Sequence, residues 1–336
     1  MSVTQADVAR VAGVSRKTVS NVINGYPHIS PNVLTRVEAA VAQLGYMPSH
    51  AARSLRLGRT RVIQLVIPEL DVSYFAELAR WVVHYAEEQG LTVVITQTLG
   101  DLEREIAAIG GQFAEYAEGT IFSPVGTDVA TVAERRSGAP IVLVGERGGE
   151  GLLDHVGIDN VAAARMATEH LIGQGRVNIG FIGAQEQNQL IMADLRKTGY
   201  LQALDSAGMV ARPELSRETV AYHRADGENA MRELLSLDTT IDAVFCATDL
   251  LALGAIRAAY DLGVRIPEDV AVVGFDDLEE GRFSVPSLTT ISPDKPLIAK
   301  EAVARLAARL DGLAEVDSVE LDIPFRLVAR ESTIGR

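Results

Sequence analysis

The sequence predicts two parts of different fold class: a small all-α head and a larger α/β body. Residues 4–24 contain two short helical patterns separated by a glycine. From residue 62 onward, apolar runs alternate with amphipathic stretches, as they do in doubly wound parallel sheets. The charge changes at the same place, because residues 1–61 carry a net charge of +6 and the remainder carries −20. A chain of 336 residues is also too long for one compact core.

The head begins with a predicted helix-turn-helix. Thr4 is a good start for the first helix, because its hydroxyl can accept a free backbone N–H. Gly13 stands where the chain must turn, since glycine adopts positive φ without steric cost. Ser15 is placed to cap the second helix. The two helices share apolar residues at helical spacing that predict their packing, namely Val8, Ala9, Ala12, Val19, Val22 and Ile23.

The second helix is expected to expose side chains that donate hydrogen bonds: Arg16, Lys17, Thr18, Ser20 and Asn21. A helix of this kind fits the major groove of DNA, and the basic head favours a polyanionic partner. The alternative is an ordinary helical hairpin with a solvated polar face. The acidic body would repel DNA, so binding is expected in the head alone.

A third helix and a hinge follow in the sequence. Pro31 after Ser30 predicts a helix start, and Gly45 predicts the end of that helix. Residues 49–56 then allow a hinge helix of only about two turns, which is too short to be stable alone in water. An apolar side chain such as Leu55 can wedge between base steps in the minor groove. The alternative is a plain linker with an incidental leucine.

The sequence of the body predicts several strand–helix units, which are too many for one sheet of ordinary size. Ligands bind outside the carboxyl ends of such strands, so two sheets with a cleft between them are expected. The predicted strands lie at 62–68, 91–96, 119–122, 140–144, 177–182, 243–247 and 270–275. The predicted helices include 75–89, 161–173, 191–207, 226–237 and 250–262.

Composition and motifs argue against several other classes of protein. No apolar run is long enough to span a membrane, and the N-terminus lacks the pattern of a signal sequence. The single cysteine, Cys246, cannot form an internal disulfide, so a reduced cytoplasm is expected. A free periplasmic carrier would need a signal peptide and would not carry a basic head.

Enzyme motifs are weak in this sequence. It has no phosphate-binding Gly-x-x-x-x-Gly-Lys-Ser/Thr loop and no Gly-x-Ser-x-Gly elbow. A dinucleotide-like pattern beginning at Gly149 fails at Asp154. The six histidines show no metal-ligand spacing. We therefore expect no catalytic residues, cofactor or metal. The acidic cluster of Asp276, Asp277, Glu279 and Glu280 can in principle bind a cation, but a solvated loop is the favoured interpretation.

The head, taken together, resembles the LacI/GalR family of bacterial repressors. The resemblance rests on Gly-Val-Ser-x-x-Thr-Val-Ser-x-Val-Ile-Asn at 13–24 and on Gly-Tyr-Met-Pro-Ser-His-Ala-Ala-Arg-Ser-Leu at 45–55. It continues through the body in Gly-Ile-Asp-Asn at 157–160, Cys-Ala-Thr-Asp at 246–249 and Arg-Ile-Pro-Glu-Asp-Val-Ala-Val-Val-Gly-Phe-Asp-Asp at 265–277. Later marks are Pro-Ser-Leu-Thr-Thr-Ile at 286–291 and Leu-Val-Ala-Arg-Glu-Ser-Thr at 327–333.

The resemblance implies roles in DNA binding for eleven residues. Arg16, Lys17 and Asn21 would read bases. The hinge would contribute Arg53 and Leu55, with the leucine entering the minor groove at the centre of a palindrome. Phosphate and positioning contacts would come from Thr4, Ser15, Thr18, Ser20, Asn24 and His28. The family often has arginine where this chain has Asn21, and because asparagine prefers adenine the operator half-site can differ.

The implied body is a two-lobed, effector-binding domain of the periplasmic-binding-protein type. The expected domains are residues 1–47 for the helix-turn-helix, 48–61 for the hinge and 62–336 for effector binding and dimerisation. The N-lobe would comprise about 62–160 and 293–320, and the C-lobe about 161–290 and 321–336. The chain would cross between lobes near 160, 290 and 320.

Effector-binding candidates follow from the same resemblance: Tyr74, Phe75, Glu146, Arg196, Tyr222, Thr248, Asp249 and Asp276. Each has a simpler alternative. Phe75 and Tyr222 can be core residues, Asp249 can cap the next helix, and Arg196 can be a surface charge. Asp276 is the strongest candidate, because an acid directly after an apolar strand faces the cleft in this fold. Gly145 replaces the aspartate common in the family, and Glu146 and Arg147 are the two residues that can substitute for it, of which Glu146 is the candidate.

The resemblance also implies partners and mechanism. A homodimer would bind a palindromic operator, and a small effector between the lobes, by family default a carbohydrate, would control operator affinity. The chain ends soon after the last family motif, so a tetramerising helix is not expected. A member whose body no longer binds an effector stays an open alternative.

Overall fold

The computed structural model describes residues 3–23, 26–46, 59–111, 116–136, 138–146, 148–185, 191–237, 240–313 and 317–335. The chain divides into two compact units, Met1–Arg61 and Val62–Arg336, here called the head and the body. Both contain a buried apolar core of their own.

Three helices form the described part of the head: α1 (Gln5–Ala12), α2 (Arg16–Ile23) and α3 (Pro31–Leu44). Val8, Val19 and Val37 supply one fully buried side chain from each helix. The helices are short, so their stability must come from this shared core rather than from helix propensity. The predicted helix-turn-helix and third helix are thus present.

The first lobe of the body is built on a sheet with the strand order β11-β5-β4-β3-β1-β2, in which every pairing is parallel. Its strands are β1 (Val62–Ile67), β2 (Thr92–Gln97), β3 (Gly119–Phe122), β4 (Ile141–Val144), β5 (Asp154–Gly157) and β11 (Glu320–Asp322). Its helices are α4 (Ser73–Glu88), α5 (Leu102–Gly110), α6 (Val129–Arg135) and α12 (Lys295–Leu310).

The second lobe has the strand order β12-β10-β9-β8-β6-β7, with only β10 and β12 antiparallel among these pairs. Its strands are β6 (Ile179–Ala184), β7 (Ser216–Glu218), β8 (Ala243–Cys246), β9 (Ala271–Phe275), β10 (Thr289–Pro293) and β12 (Phe325–Val328). Its helices are α7 (Asn160–Gly173), α8 (Ile191–Ser206), α9 (Arg224–Leu235), α10 (Asp249–Asp261), α11 (Glu279–Phe283) and α13 (Glu331–Ile334), with a 3₁₀ turn at Pro213–Leu215.

The chain passes between the lobes three times. It leaves the first sheet after β5 and enters α7, and it returns from β10 into α12, which packs on the core of the first lobe. The last crossing lies between β11 and β12, a little beyond the expected residue 320, because Glu320–Asp322 still pairs with β5. The body therefore contains the two mostly parallel sheets that the sequence predicts.

Side-chain caps fix several helix starts in the body. Asp159 accepts a hydrogen bond from Ala162 N at the start of α7, and Asp294 accepts one from Leu297 N at the start of α12. Both helices begin directly after a crossing between lobes. A cap satisfies a backbone donor that a helix start leaves free, so these aspartates define where each crossing ends.

Candidate functional site

The first turn of the head is held by a reciprocal cap. Asp7 N donates to Thr4 Oγ1 over 3.4 Å, and Thr4 N donates to Asp7 Oδ2 over 3.1 Å. This arrangement is a capping box, which satisfies backbone donors that the helix start leaves unpaired. The helix ends at Gly13 with φ of 65°, a left-handed conformation that glycine adopts at little cost.

An arginine from α3 fastens the turn between α1 and α2. Arg36 Nε donates to Ala12 O over 2.9 Å, and Arg36 Nη2 donates to Gly13 O over 2.8 Å. A positive charge is favourable at the C-terminal end of a helix, where carbonyl oxygens lack partners. Sequence reasoning counted Arg36 only toward the basic charge of the head and missed this structural role.

Helix α2 begins at Arg16, directly after Ser15, whose Oγ accepts a hydrogen bond from Thr18 N over 3.0 Å. Arg16 and Lys17 are exposed on its first turn, and Asn21 is half-buried one turn later. Ser20 differs from expectation, because it is only 8% exposed and, like fully buried Val19, belongs to the buried side of the helix. Thr18 is half-buried.

Two further DNA-binding candidates are exposed. Thr4 precedes α1, and His28 lies between α2 and α3 with its ring 5.6 Å from that of Tyr26 in an edge-on arrangement. Asn24, Arg53 and Leu55 lie outside the described residues. The described head therefore offers exposed Arg16 and Lys17 on a short helix whose first turn can approach base edges in the major groove.

The body contains a pocket at the carboxyl ends of its strands, lined by both lobes. Gly145 and Glu146 follow β4, Ile158 follows β5, and Asp276 follows β9. The pocket is nearly closed in this structure, with an enclosed volume of about 10 Å³. The lining consists of Tyr74, Gly145, Glu146, Gly157, Ile158, Asn160, Arg196, Phe275, Asp276, Pro293 and Ile298.

Arg196 lines this pocket and is only 4% exposed, so the interpretation as a surface charge is wrong. Its Nε donates to Asn160 Oδ1 over 3.0 Å, and its Nη1 donates to Ala247 O over 2.5 Å. Its Nη2 lies 3.4 Å from Glu146 Oε1, which belongs to the other lobe. A buried cation needs such partners, because desolvation of a charge is costly.

Asp276 is 6% exposed, and its carboxylate Oδ1 lies 3.8 Å from Arg196 Nη1. Burial raises the pKa of this carboxyl to about 7, against the opposing influence of the Arg196 and Lys295 charges. Glu146 and Glu77 also raise it, because like charges disfavour ionisation. The residue has φ of 112°, which is unusual for a side chain other than glycine.

Lys295 holds the backbone that carries Asp276. Its Nζ donates to Asp276 O over 2.6 Å and to Asp277 O over 3.1 Å, and it pairs with Glu77 Oε2 at 2.6 Å. The ammonium group has three protons and three acceptors here, so a buried lysine is fully satisfied. No pattern in the sequence singled out Lys295.

Tyr74 lines the pocket at the start of α4 and is half-buried. The surrounding protein raises the pKa of its hydroxyl through desolvation, and Glu146 and Asp276 raise it further. The ring of Phe75 packs edge-on against that of Tyr74 at 5.3 Å and contacts the core of the first lobe. Phe75 is not part of the pocket lining.

Three other candidates stand beside the pocket rather than in its lining. Tyr222 donates to Gly183 O over 2.8 Å and packs against the core of the second lobe. Thr248 caps α10. Asp249 is fully buried and accepts hydrogen bonds from Thr290 Oγ1 and Leu278 N, and burial raises its pKa well above the usual range.

The acidic cluster after β9 is not the solvated loop that the sequence favoured. Asp276 and Asp277 are buried, and Glu280 accepts a hydrogen bond from Ser73 Oγ of the other lobe over 2.5 Å. Burial would raise the pKa of Asp277, but the hydrogen bond and charge of Arg330, with Ser292, lower it overall. Only Glu279 is exposed.

A histidine supports the loop that bears Glu146. His155 is 8% exposed, and its Nε2 lies 2.8 Å from Gly145 O while its Nδ1 lies 2.7 Å from Glu320 Oε2. Glu320 also accepts from Gly149 N over 2.5 Å. The loop after β4 is thereby tied to β5 and to β11. Sequence reasoning considered His155 only as a metal ligand.

The described residues contain no group of three histidine, cysteine or acidic side chains placed to hold a metal ion. Within the same part of the chain, the helices are too short or too polar to cross a membrane. Among the pocket residues that sequence reasoning missed, Asn160 had the clearest signal, because it stands in the Gly-Ile-Asp-Asn motif directly after β5.

Comparisons with known proteins agree with this architecture. Residues 4–49 match the model of bacterial regulatory proteins of the lacI family, and residues 168–333 match a periplasmic binding protein-like domain. The catabolite control protein A of Priestia megaterium is 31% identical over 99% of this chain and 100% of its own length.

Two solved structures are similar over nearly the whole chain. The lac repressor dimer bound to operator and an anti-inducer is 27% identical, with a TM-score of 0.87 over 99% of both chains. A complex of the transcriptional regulator CelR with cellobiose is 31% identical, with a TM-score of 0.74 over 98% of this chain and 99% of that one. The chain therefore belongs to the lacI family of bacterial regulatory proteins, which are transcription regulators rather than enzymes.

Proposed function

We propose that this chain is a homodimeric repressor that binds a palindromic operator. A small molecule that binds between the lobes of the body would raise or lower its affinity for the operator. The observation that carries the proposal is the head, in which a capped α2 exposes Arg16 and Lys17 beside half-buried Asn21. The lac repressor structure, a dimer on operator DNA, supports the same reading. Such a regulator would act in the bacterial cytoplasm, because its operator DNA is there.

Within the head, we assign base contacts to Arg16, Lys17 and Asn21. Phosphate contacts are assigned to exposed Thr4, Ser15 and His28 and to half-buried Thr18, whose hydroxyl and imidazole groups can reach the DNA backbone. Asn24 is assigned to phosphate on the sequence alone. Ser20 is buried, so it would position α2 rather than bind phosphate directly. In the hinge, Arg53 and Leu55 are assigned to the minor groove on the sequence alone.

Within the body, we assign effector contacts to Tyr74, Glu146, Arg196 and Asp276, since all four line the pocket. The four other candidates lie outside the lining and contact other protein groups, so they would support the lining residues rather than contact the effector. These are Phe75, Tyr222, Thr248 and Asp249. A carbohydrate is the proposed effector class, and the cellobiose complex of CelR supports it.

We propose that operator control divides among three segments: residues 1–47 read DNA, 48–61 form the hinge, and 62–336 bind effector and dimerise. Coupling of about 1–3 kcal/mol between effector and operator would change operator affinity roughly 5- to 150-fold. The sign of the coupling depends on whether the effector favours the DNA-bound state.

The decisive experiment is selection of random duplex DNA by the purified full-length protein, followed by sequencing. Enrichment of a palindrome supports the proposal, and two half-sites related by two-fold symmetry would reflect a dimer. The selection is repeated with pooled sugars, so that a required corepressor does not mask binding. Absence of an enriched palindrome under both conditions contradicts the proposal. Variants Arg16→Gln and Lys17→Gln should lose the palindrome, while exposed Arg257→Gln in the body should retain it.

A further inference from the structure

The pocket between the lobes contains a buried carboxylate without a hydrogen-bond donor among the described residues. Asp276 is 6% exposed, and its nearest cationic nitrogen, Arg196 Nη1, is 3.8 Å away, beyond hydrogen-bond distance. The Lys295 ammonium binds the backbone oxygen of Asp276 and not its side chain. The side chain keeps 9% of its surface accessible, so its carboxylate can receive hydrogen bonds from a ligand in the pocket.

The one guanidinium in the described lining is already engaged. Arg196 directs hydrogen bonds to Asn160 Oδ1 and Ala247 O and a longer one to Glu146, and its Cζ lies 3.6 Å from the centroid of the Phe275 ring. One face of the guanidinium is therefore covered, and most of its N–H groups point at protein oxygens. It is poorly placed to clamp a phosphate or carboxylate, which requires two parallel free N–H donors.

The remaining polar groups of the lining are mostly acceptors. Asn160 uses its oxygen on Arg196 and its nitrogen on Ile158 O, and the carbonyl of Gly145 faces His155. The groups left for a ligand are the carboxylates of Glu146 and Asp276, the hydroxyl of Tyr74 and the two Arg196 N–H groups that its three hydrogen bonds to protein oxygens do not use. Glu146 comes from the first lobe and Asp276 from the second, so a donor-rich ligand would bridge the cleft.

We infer that the pocket takes an uncharged polyhydroxylated ligand, such as a neutral sugar, and rejects phosphorylated or acidic forms of the same molecule. The inference rests on the proposed effector role of this pocket. Hydroxyl groups supply the donors that two carboxylates require. An added anion would meet both carboxylates in a desolvated site, where Coulomb repulsion is strong. Burial raises the pKa of Asp276 and Glu146 raises it further, so an ionised group is costly in this pocket.

The test uses matched pairs of probes on the full-length protein: ribose with ribose 5-phosphate, glucose with glucose 6-phosphate and gluconate, and cellobiose with cellobionate. Thermal stability and calorimetric binding are measured for each. We expect at least one neutral member to bind, and its anionic counterpart to bind at least tenfold more weakly.

Variants show whether the pocket causes the discrimination. Glu146→Gln should weaken binding of the neutral sugar, because a carboxylate acceptor is lost. It should also reduce the difference in affinity between the neutral sugar and its anionic counterpart, because one negative charge is removed and an amide donor replaces it. Glu146 is partly exposed, with 26% of its side-chain surface accessible, so this variant is expected to fold. Exposed Glu88→Gln on α4 removes the same charge outside the pocket lining and should change neither affinity.

Tighter or equal binding of an anionic member overturns the inference, as does absence of binding by every neutral member. Unchanged discrimination in Glu146→Gln overturns it also. The DNA selection is independent of these results. If the protein selects a palindrome but binds only anionic probes, the proposed regulator stands and the inferred ligand class is refuted. If it selects no palindrome, the proposed regulator itself is refuted.

Discussion

The guanidinium of Arg196 lies over the ring of Phe275, with Cζ 3.6 Å from the ring centroid. The arginine comes from α8 and the phenylalanine from the end of β9, so this contact joins a helix to the strand that carries Asp276. Stacking on an aromatic face is favourable for a desolvated cation. It also fixes the plane of the guanidinium before any ligand arrives, which lowers the ordering cost of binding.

Arg196→Lys is expected to weaken effector binding about 10- to 100-fold, which corresponds to the loss of one or two hydrogen bonds to a charged group. A lysine keeps the charge but cannot stack flat and donate to both Asn160 and Ala247. The measurement is calorimetric titration with the best neutral sugar from the probe panel. Wild-type affinity in the lysine variant would mean that only the charge matters. Exposed Arg165→Lys on α7 serves as the control.

Much of the body could be predicted from sequence because buried parallel strands are continuous apolar runs, as in Leu65–Ile67 of β1. Strands β7, β11 and β12 were missed for the opposite reason: they are short and partly exposed, and they contain charged residues such as Glu218, Glu320 and Arg326. Strands β5 and β10 are buried but were also missed, because Asp154 and His155 in β5 and Thr289 and Thr290 in β10 interrupt the apolar pattern. The antiparallel pairing of β12 with β10 joins segments far apart in sequence, which periodicity cannot reveal.

The pocket was only partly predictable. A carboxylate directly after a buried strand, such as Asp276, has a clear signal. The surroundings of Arg196 have none, because Asn160, Ala247 and Phe275 come from three separate elements that only the folded chain brings together. Likewise, the engagement of Asp249 by Thr290 and Leu278 depends on packing across the second sheet.

Stability should depend on pH through Asp276, whose folded pKa of about 7 lies above the ordinary value of 3.8. Between about pH 4 and 7 the folded state holds a proton that the unfolded state has lost, so the free energy of unfolding contributed by this group falls as pH rises. The full effect of about 3 pKa units is at most roughly 4 kcal/mol.

Asp276→Asn should therefore flatten the decline in stability from pH 4 to 7, as measured by urea unfolding at intervals across that range. The groups facing Asp276 are Arg196, Lys295, Glu146 and Glu77, and they stay in place in this variant. Asp269→Asn is the control, because Arg265 lowers the pKa of exposed Asp269 to about 2, below this window. An identical pH profile in wild type and Asp276→Asn would contradict a raised pKa.

His155 is predicted to position the loop that carries Glu146. Its two ring nitrogens lie within hydrogen-bond distance of Gly145 O and Glu320 Oε2, so the ring connects the loop after β4 to β11. His155→Leu should weaken effector binding about tenfold, as expected for loss of a hydrogen bond to a charged partner. Operator affinity without effector should change little. The separate variant Glu320→Gln keeps an acceptor oxygen for His155 and should retain most of the effector affinity. Equal losses in the two variants would contradict the positioning role of His155.

Arg36 is predicted to stabilise the head by holding the end of α1. Arg36→Met removes the hydrogen bonds to Ala12 O and Gly13 O and should lower local stability by about 1–3 kcal/mol. The measurement is amide hydrogen exchange of residues 5–23 in the full-length protein. Arg10→Met removes the same charge from an exposed pair with Asp7 and should have a much smaller effect. Equal exchange in both variants would contradict the structural role.

Asn21 is predicted to read a base. Asparagine pairs best with adenine through two hydrogen bonds, whereas arginine pairs best with guanine. Asn21→Arg should therefore change the preferred base from adenine to guanine at one position of each half-site, with discrimination of about 1–3 kcal/mol. The two changes should be related by two-fold symmetry, because each protomer of a dimer contributes one head.

The measurement is again DNA selection and sequencing, with wild type and variant compared at the same salt concentration. A shift confined to one symmetric pair of positions supports base contact by Asn21. A uniform change of affinity with the same consensus would instead assign Asn21 to phosphate, since phosphate contacts carry no sequence information. Thr4→Ala supplies that comparison within the head: it should weaken all sequences alike, because Thr4 is exposed at a helix start and is not on α2.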